Sequence, residues 1–264
     1  MPETQPSEED LLNALETPAP TPPTPAPAPT PPPITKKPGE FSTWNWLEAV
    51  IDYNTAMIFG DTGSGKTKTC MQIAYECAQE GKKVKYIDHE ANLSQTDIKT
   101  MRAAGITYEL IPDYQELYRL KKEDLNNIDL MIIDSATLAI TGKWSNFDMH
   151  QKGQILQMLQ GMMYRLSQEC IRSRKHIVIV TAQPISVMGE RHSILPMGDK
   201  VSFLCKEIWL ASAPRDEEGK VISRTLTAFR SRSFEDGTII TKVKTKKFGA
   251  TLNKQIMSKL LEGI

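Results

Sequence analysis

Gly60-Asp61-Thr62-Gly63-Ser64-Gly65-Lys66-Thr67 fits the pattern G-x-x-x-x-G-K-[ST] at every defined position. The glycines let the backbone turn tightly, so that successive N–H groups line a concavity suited to phosphate oxygens. At this spacing Lys66 reaches the β- and γ-phosphates of a nucleoside triphosphate, and the Thr67 hydroxyl ligates Mg²⁺. Asp61, Thr62, Ser64 and Thr69 belong to the same nucleotide-binding stretch, with Gly60, Gly63 and Gly65 as its turns. Further on, Leu130-Met131-Ile132-Ile133 is an apolar run that ends in Asp134. A carboxylate there, following a complete P-loop, is the Walker B arrangement, which holds the Mg²⁺ shell beside Thr67. The ligands implied are ATP and Mg²⁺.

These groups need elements to place them. Thr55-Ala56-Met57-Ile58-Phe59 predicts a short buried strand ahead of the loop. Cys70, Ile73, Ala74, Cys77 and Ala78 recur at helical spacing behind it, so a helix N-terminus adds its dipole to the phosphate site. Val84 to Ile87 predicts a second strand, giving a βαβ unit with a right-handed crossover. Helical character follows over 94–104 and 113–122, with Ser94 and Asp113 as N-caps, and over a longer stretch from Asp148 to Ser173. His176 to Gln183 is another buried strand. Residues 201–211 are expected to pass from helix to strand, and 221–229 and 238–244 to form two strands joined by turns at 216–219 and 235–237. The fold class is α/β: a mainly parallel sheet flanked by helices, with antiparallel strands at its C-terminal edge. Nucleotide binds at the carboxyl ends of such strands.

Composition limits the alternatives. Residues 1–40 form an acidic and Pro-rich tail in which Pro18 to Pro38 is extended linker, 41–250 the ATPase core, and 251–264 a C-terminal helix or tail. Glu8 to Leu15 is either disordered or a short amphipathic docking segment for a protein partner. The tail carries six acidic and two basic side chains, so the remainder is near +4 within a chain of zero formal net charge. No apolar run approaches the roughly 18 residues that cross a membrane. Cys70, Cys77, Cys170 and Cys205 form no C-x-x-C pair and are expected as reduced core residues of a cytoplasmic protein.

The ordered signatures GDTGSGKT, YIDHEAN, LMIIDSATL, IVIVTAQP and MGDKVSFLCKEIWLAS resemble those of the RecA/RadA-type ATPases over about residues 42 to 250. The resemblance implies a RecA-like core. It implies that Glu90, at the end of a strand neighbouring the P-loop strand, orients and activates the attacking water. Asp88 and His89 flank it, and His89 by itself reads as a plain solvent-facing histidine. The resemblance makes Gln183 a sensor of the γ-phosphate. A DNA-facing loop over 187–193 then carries Arg191, and a second over 141–153 carries Lys143, Trp144 and Phe147, which either stack on single-stranded DNA or form a lid on the nucleotide. Lys244, Lys246 and Lys247 resemble cations that act on a neighbouring subunit's γ-phosphate, with Arg230 and Arg232 as rivals. A homo-oligomer, ring or filament, follows from the same resemblance.

The chain departs from the family in showing no helix-hairpin-helix domain ahead of the core, no RecA-type C-terminal domain and no clear Phe-x-x-Ala polymerisation peptide. Those departures favour a core-only paralogue or a phage-type recombination ATPase. The leading function is an ATPase acting on single-stranded DNA in recombination, repair or replication. The alternatives are a KaiC-like switch that regulates a protein partner and a ring helicase of DnaB type. A small-molecule kinase fits least, because no acceptor site or lid is visible.

Overall fold

Runs such as Ala56-Met57-Ile58-Phe59 and Ile177-Val178-Ile179-Val180 have no polar alternation, so a sheet built from them must be covered on both faces. The computed structural model, which describes residues 42–137, 146–183, 185–187, 190–194 and 203–243, has that arrangement. Its strands are β1 (Thr55–Phe59), β2 (Val84–Asp88), β3 (Thr107–Leu110), β4 (Leu130–Asp134), β5 (Ile177–Ala182), β6 (Ile185–Val187), β7 (Glu190–Ile194), β8 (Glu207–Ser212), β9 (Arg224–Arg230) and β10 (Ile239–Val243). Its helices are α1 (Thr43–Ile51), α2 (Lys66–Gln79), α3 (Gln95–Ala103), a single turn α4 (Tyr114–Leu117) and the long α5 (Met149–Ser173), with a 3₁₀ turn at Lys122–Leu125.

Eight strands form one sheet in the order β10-β9-β8-β1-β5-β4-β2-β3. Strands β3 to β8 in that order are parallel, and β9 and β10 close the edge antiparallel. Alternate residues serve opposite cores. Ala56 and Ile58 join Cys70, Ile73, Ala74 and Cys77 of α2, together with Trp44, Trp46 and Leu47 of α1. Met57 and Phe59 join Ile155, Leu159, Met162 and Leu166 of α5 on the other face. All four cysteines are free and buried, as expected. Among the described residues, no helix is long and apolar enough to cross a membrane.

Several local expectations change. Ser94, Asp113 and Asp148 cap helices, each side chain accepting a backbone N–H. The helix expected over 113–122 is only α4 followed by the 3₁₀ turn. The helix expected at the start of 201–211 is replaced by a turn ahead of β8, and the strand expected from Val221 begins at Arg224. The P-loop strand and β2 are not neighbours, since β5 and β4 lie between them. The described residues of 187–193 are strand rather than open loop. β6 and β7 pair as an antiparallel ribbon with Ile185 opposite Ile194. Residues 149–153 of the second expected loop are the first turns of α5. The proposed boundaries at residues 40 and 250 lie outside the described residues.

Two irregularities matter later. Ile208 pairs with Arg230 while Trp209 pairs with Ala228, so β9 carries one extra residue, Phe229, in a bulge. Phe229 packs edge-on against Phe59, ring centroids 5.0 Å apart. Separately, α1 is tied down by Glu80 at the far end of α2. That carboxylate accepts from the Ser42 hydroxyl at 2.6 Å and from the Thr43 and Trp44 backbone N–H groups at 2.8 and 2.9 Å. Two of the helix's orphan amides are thus satisfied by a charged acceptor.

Replacing Glu80 with Ala should therefore lower unfolding free energy by about 1–3 kcal/mol, the range for losing an N-cap with charge-assisted bonds. Urea denaturation followed by tryptophan fluorescence checks this, and an unchanged midpoint would show that α1 is anchored by its apolar face alone.

Candidate functional site

Because the parallel strands are buried along their length, polar side chains collect where they end. The carboxyl ends of β1, β2, β4 and β5 deliver the P-loop, Glu90, Asp134 and Gln183 to one edge. The P-loop leaves β1 against β8. Phe59 pairs with Leu210, and a Cβ on Gly60 would lie 2.2 Å from the Ala211 carbonyl oxygen, so no side chain fits there. Gly65 is the N-cap of α2 at φ 98°, a left-handed conformation that only glycine takes without strain. Asp61, Thr62 and Gly63 are exposed, Thr67 is half-buried, and Ser64, Lys66 and Thr69 are buried.

Lys66 curls back over the loop. Its Nζ donates to the Gly60 carbonyl at 2.7 Å and to the Asp61 carbonyl at 3.1 Å. Burial lowers its pKa from the ordinary 10.5, while the charges of Glu90 and Asp134 act to raise it. Both carboxylates are therefore close enough to be felt by the ammonium. Asp134 is buried, with Tyr86 donating to its Oδ2 at 2.8 Å and Thr181 to its Oδ1 at 2.5 Å. The Tyr86 phenol is held well above its usual pKa, first by burial and then by the Asp134 charge. It therefore stays a donor. The Asp134–Ser135 peptide is cis.

Glu90 is half-buried and held by two amides. Gln183 Nε2 approaches Glu90 Oε1 at 3.4 Å, and Asn92 Nδ2 donates to Oε2 at 2.8 Å. The turn that presents Glu90 is built by Asp88, whose Oδ1 accepts the Glu90 and Ala91 N–H groups and whose Oδ2 accepts from Tyr108. Gln183 is fixed at its backbone, N–H to the Thr137 hydroxyl at 2.9 Å. His89 is not solvent-facing. It is buried, its N–H donates to the Asp134 carbonyl, and its ring Nδ1–H donates to the Ile111 carbonyl.

The remaining sequence candidates separate. Arg230 and Arg232 sit at the opposite edge from their own P-loop, because Arg230 pairs with Ile208 at the start of β8 and the Arg232 N–H donates to Glu207. Arg230 lies over the Phe203 ring at 5.4 Å. Phe147 is not free to stack on a base. It packs against Tyr114, centroids 6.3 Å apart, beside the α5 core. Arg191 is on β7. Lys143, Trp144, Lys244, Lys246, Lys247 and the N-terminal acidic segment lie outside the described residues. Sequence reasoning missed Tyr86, Thr181, Tyr108 and Thr137, the groups that hydrogen-bond Asp134, Asp88 and Gln183. Tyr86 and Asp88 stand two residues apart on one strand, so they share a face, a periodicity legible in the sequence.

Comparison with known proteins gives partial matches. The chain is 28% identical over 154 residues to the DNA repair and recombination protein RadB of Methanococcoides burtonii, covering 53% of this chain and 65% of that protein. It is 30% identical over 107 residues to the RadB of Methanobrevibacter smithii, covering 35% of this chain and 46% of that protein. The matches thus span less than two thirds of those relatives. A RadB recombinase crystal structure superposes with a TM-score of 0.57 at 19% identity, covering 79% of this chain and 97% of that one. The flagellar accessory protein FlaH of Methanocaldococcus jannaschii gives 0.52 at 14%, covering 78% and 94%. No protein-family model matches the chain. The chain thus has the fold of the RadB recombinase and FlaH structures, and part of its sequence is similar to the RadB proteins.

Proposed function

We propose that the chain is a Mg²⁺-dependent ATPase of recombination and repair that acts on single-stranded DNA. The observation that carries the hydrolytic part is the placement of Glu90. It is held by Gln183 and Asn92 and is felt by Lys66, at the edge where the P-loop amides converge. A carboxylate so oriented, beside a phosphate grip, suits a base that activates water. Gln183 bridges that base to β5, so loss of a γ-phosphate contact there would be passed to the β6–β7 ribbon that follows. Lys66 would leave the Gly60 and Asp61 carbonyls for phosphate oxygens. The DNA part rests on the RadB relatives and on the sequence candidates Arg191, Lys143 and Trp144.

The residues fit Mg²⁺. The Thr67 hydroxyl and Asp134 are hard oxygen donors, and each Asp134 oxygen keeps a lone pair beyond the hydroxyl it accepts. Among the described residues there is no cluster of three or more His, Cys, Asp or Glu that could hold a metal. Few protein ligands suit an ion that keeps its waters and takes phosphate oxygens. Bound there, Mg²⁺ would neutralise charge on the phosphates.

Arg230 and Arg232 are the trans-acting candidates among the described residues. In a head-to-tail assembly one subunit's edge meets a different edge of the next. Cations at the edge opposite the P-loop would in such an assembly be the ones to meet a neighbour's nucleotide.

Three measurements test this. Steady-state hydrolysis should fall by about 10²–10⁴-fold in Glu90→Gln with ATP binding kept, as for loss of a general base; Lys66→Ala should lose binding. Normal turnover by Glu90→Gln removes the base assignment, and tight ATP binding with no turnover and no response to single-stranded DNA at low salt would instead favour the KaiC-like switch. Second, ATP affinity should weaken as pH approaches the ordinary lysine value of 10.5 from below. The free Lys66 deprotonates below 10.5, phosphate favours its charged form, and binding therefore takes up protons in that window. Calorimetry in two buffers of different ionisation enthalpy reads that uptake. Third, an Arg230→Ala/Arg232→Ala double variant should bind ATP normally yet hydrolyse it at least about tenfold more slowly. Mixing it with Glu90→Gln protein should restore part of the rate, and no restoration would mean that these arginines do not act across subunits.

A further inference from the structure

A second cation approaches the P-loop from within the same chain. Arg224 opens β9 at the carboxyl edge, where Thr225 pairs with Ser212 at the end of β8. Its side chain is laid across the N-terminus of α2. The position of a Cβ on Gly65 would be 2.9 Å from Arg224 Cδ and 3.1 Å from its Nε. That Nε is buried and has no hydrogen-bond partner among the described residues. A buried, unsatisfied donor on a charged group is costly, and native structures keep one where something else completes it. The Ser64 hydroxyl, in the same loop, is a second buried polar atom without a partner. Arg215, in the β8–β9 connection, flanks the loop further out, its Nη2 3.8 Å from the Cβ position of Gly63 while its Nη1 donates to the Gly219 carbonyl at 2.6 Å.

We propose that Arg224 is a phosphate-binding residue of the site, its guanidinium engaging the phosphate chain of the nucleotide held by its own subunit's P-loop. The proposal rests on the nucleotide-binding assignment above and adds a contact made in cis, on the opposite flank of the loop from Glu90 and Gln183. Gly65 is the residue where the cradle of amides passes into α2, so a guanidinium crossing it reaches the phosphates before it reaches a base. A guanidinium stays charged at any working pH and matches phosphate oxygens two at a time. An oxygen accepting from Nε would supply the partner this donor lacks. The need for glycine at 65 is then double: its backbone is left-handed, and the arginine occupies the space of a side chain.

The test is titration calorimetry of the full chain with Mg²⁺ and ATP or ADP, at low and high salt, for wild type, Arg224→Met, Arg224→Lys and Lys66→Ala. Arg224→Met should bind both nucleotides about tenfold more weakly, the loss expected for one charge-assisted bond. Its affinity should also depend less steeply on salt, because one fewer cation meets the phosphates. Arg224→Lys should recover the salt dependence and part of the affinity. The nucleotide-free melting temperature should stay within about 2 °C of wild type, and Arg224→Gln repeats the measurement if the Met variant folds poorly. ATP binding by Arg224→Met within twofold of wild type overturns the proposal while leaving the nucleotide assignment intact, provided Lys66→Ala still fails to bind. Weakened binding with an unchanged salt dependence also overturns it, since Arg224 would then only prop the loop. If wild type binds neither nucleotide, the parent assignment falls and this one with it.

Discussion

The sheet is buried on both faces, and almost everything else follows from that. β1, β4 and β5 are buried at every residue, so a polar group on them survives only at a strand end or with a partner. Asp134 meets both conditions, closing β4 and accepting from Tyr86 on β2 and Thr181 on β5. Those two bonds fasten the carboxyl ends of three strands to one carboxylate. The edge that carries the candidate site is therefore also a braced one, and Glu90 and Gln183 leave it from hydrogen-bonded strand ends. Preorganisation of this kind is what a site must have if it is to favour charge that develops only during reaction.

The loop itself is hemmed in from the β8–β9 flank of β1, where Ala211 of β8 approaches Gly60 and Arg224 of β9 lies on Gly65. The antiparallel edge strands thus do more than close the sheet, because they set how closely the P-loop can be approached and by which cations. Lys66, resting on its own loop carbonyls, is in the position of a group awaiting a better acceptor.

Much of this was legible in the sequence where the determinants are local. The P-loop, the Asp134 strand and the caps at Ser94 and Asp113 each rest on residues within a few positions of one another. What escaped depends on distant partners. Helix α1 has a local cap at Ser42 and an apolar repeat at Trp46, Leu47, Val50 and Ile51, but the Glu80 carboxylate that also holds its first turn comes from 36 to 38 positions away. β3 is an edge strand with no fully buried residue, so it lacks an apolar signature. Strand order is likewise non-local, which is why Glu90 was expected beside the P-loop strand although two strands intervene. Arg224 and Arg215 are unremarkable in the sequence and acquire meaning only from the glycines they meet.

One residue count in β9 has a directional effect. Arg224, Leu226 and Ala228 alternate toward the α2 side of the sheet, where Leu226 and Ala228 join its core. Continued without interruption, that rhythm would bring Arg230 to the same side. The bulge at Phe229 breaks it, and Arg230 instead comes near Phe203 and the Cys205 thiol, which belongs to the α5 core. The inserted residue acts as a parity switch: one strand, with cations at its two ends, addresses opposite faces of the molecule. Deleting a single position there would turn both arginines the same way without altering either side chain.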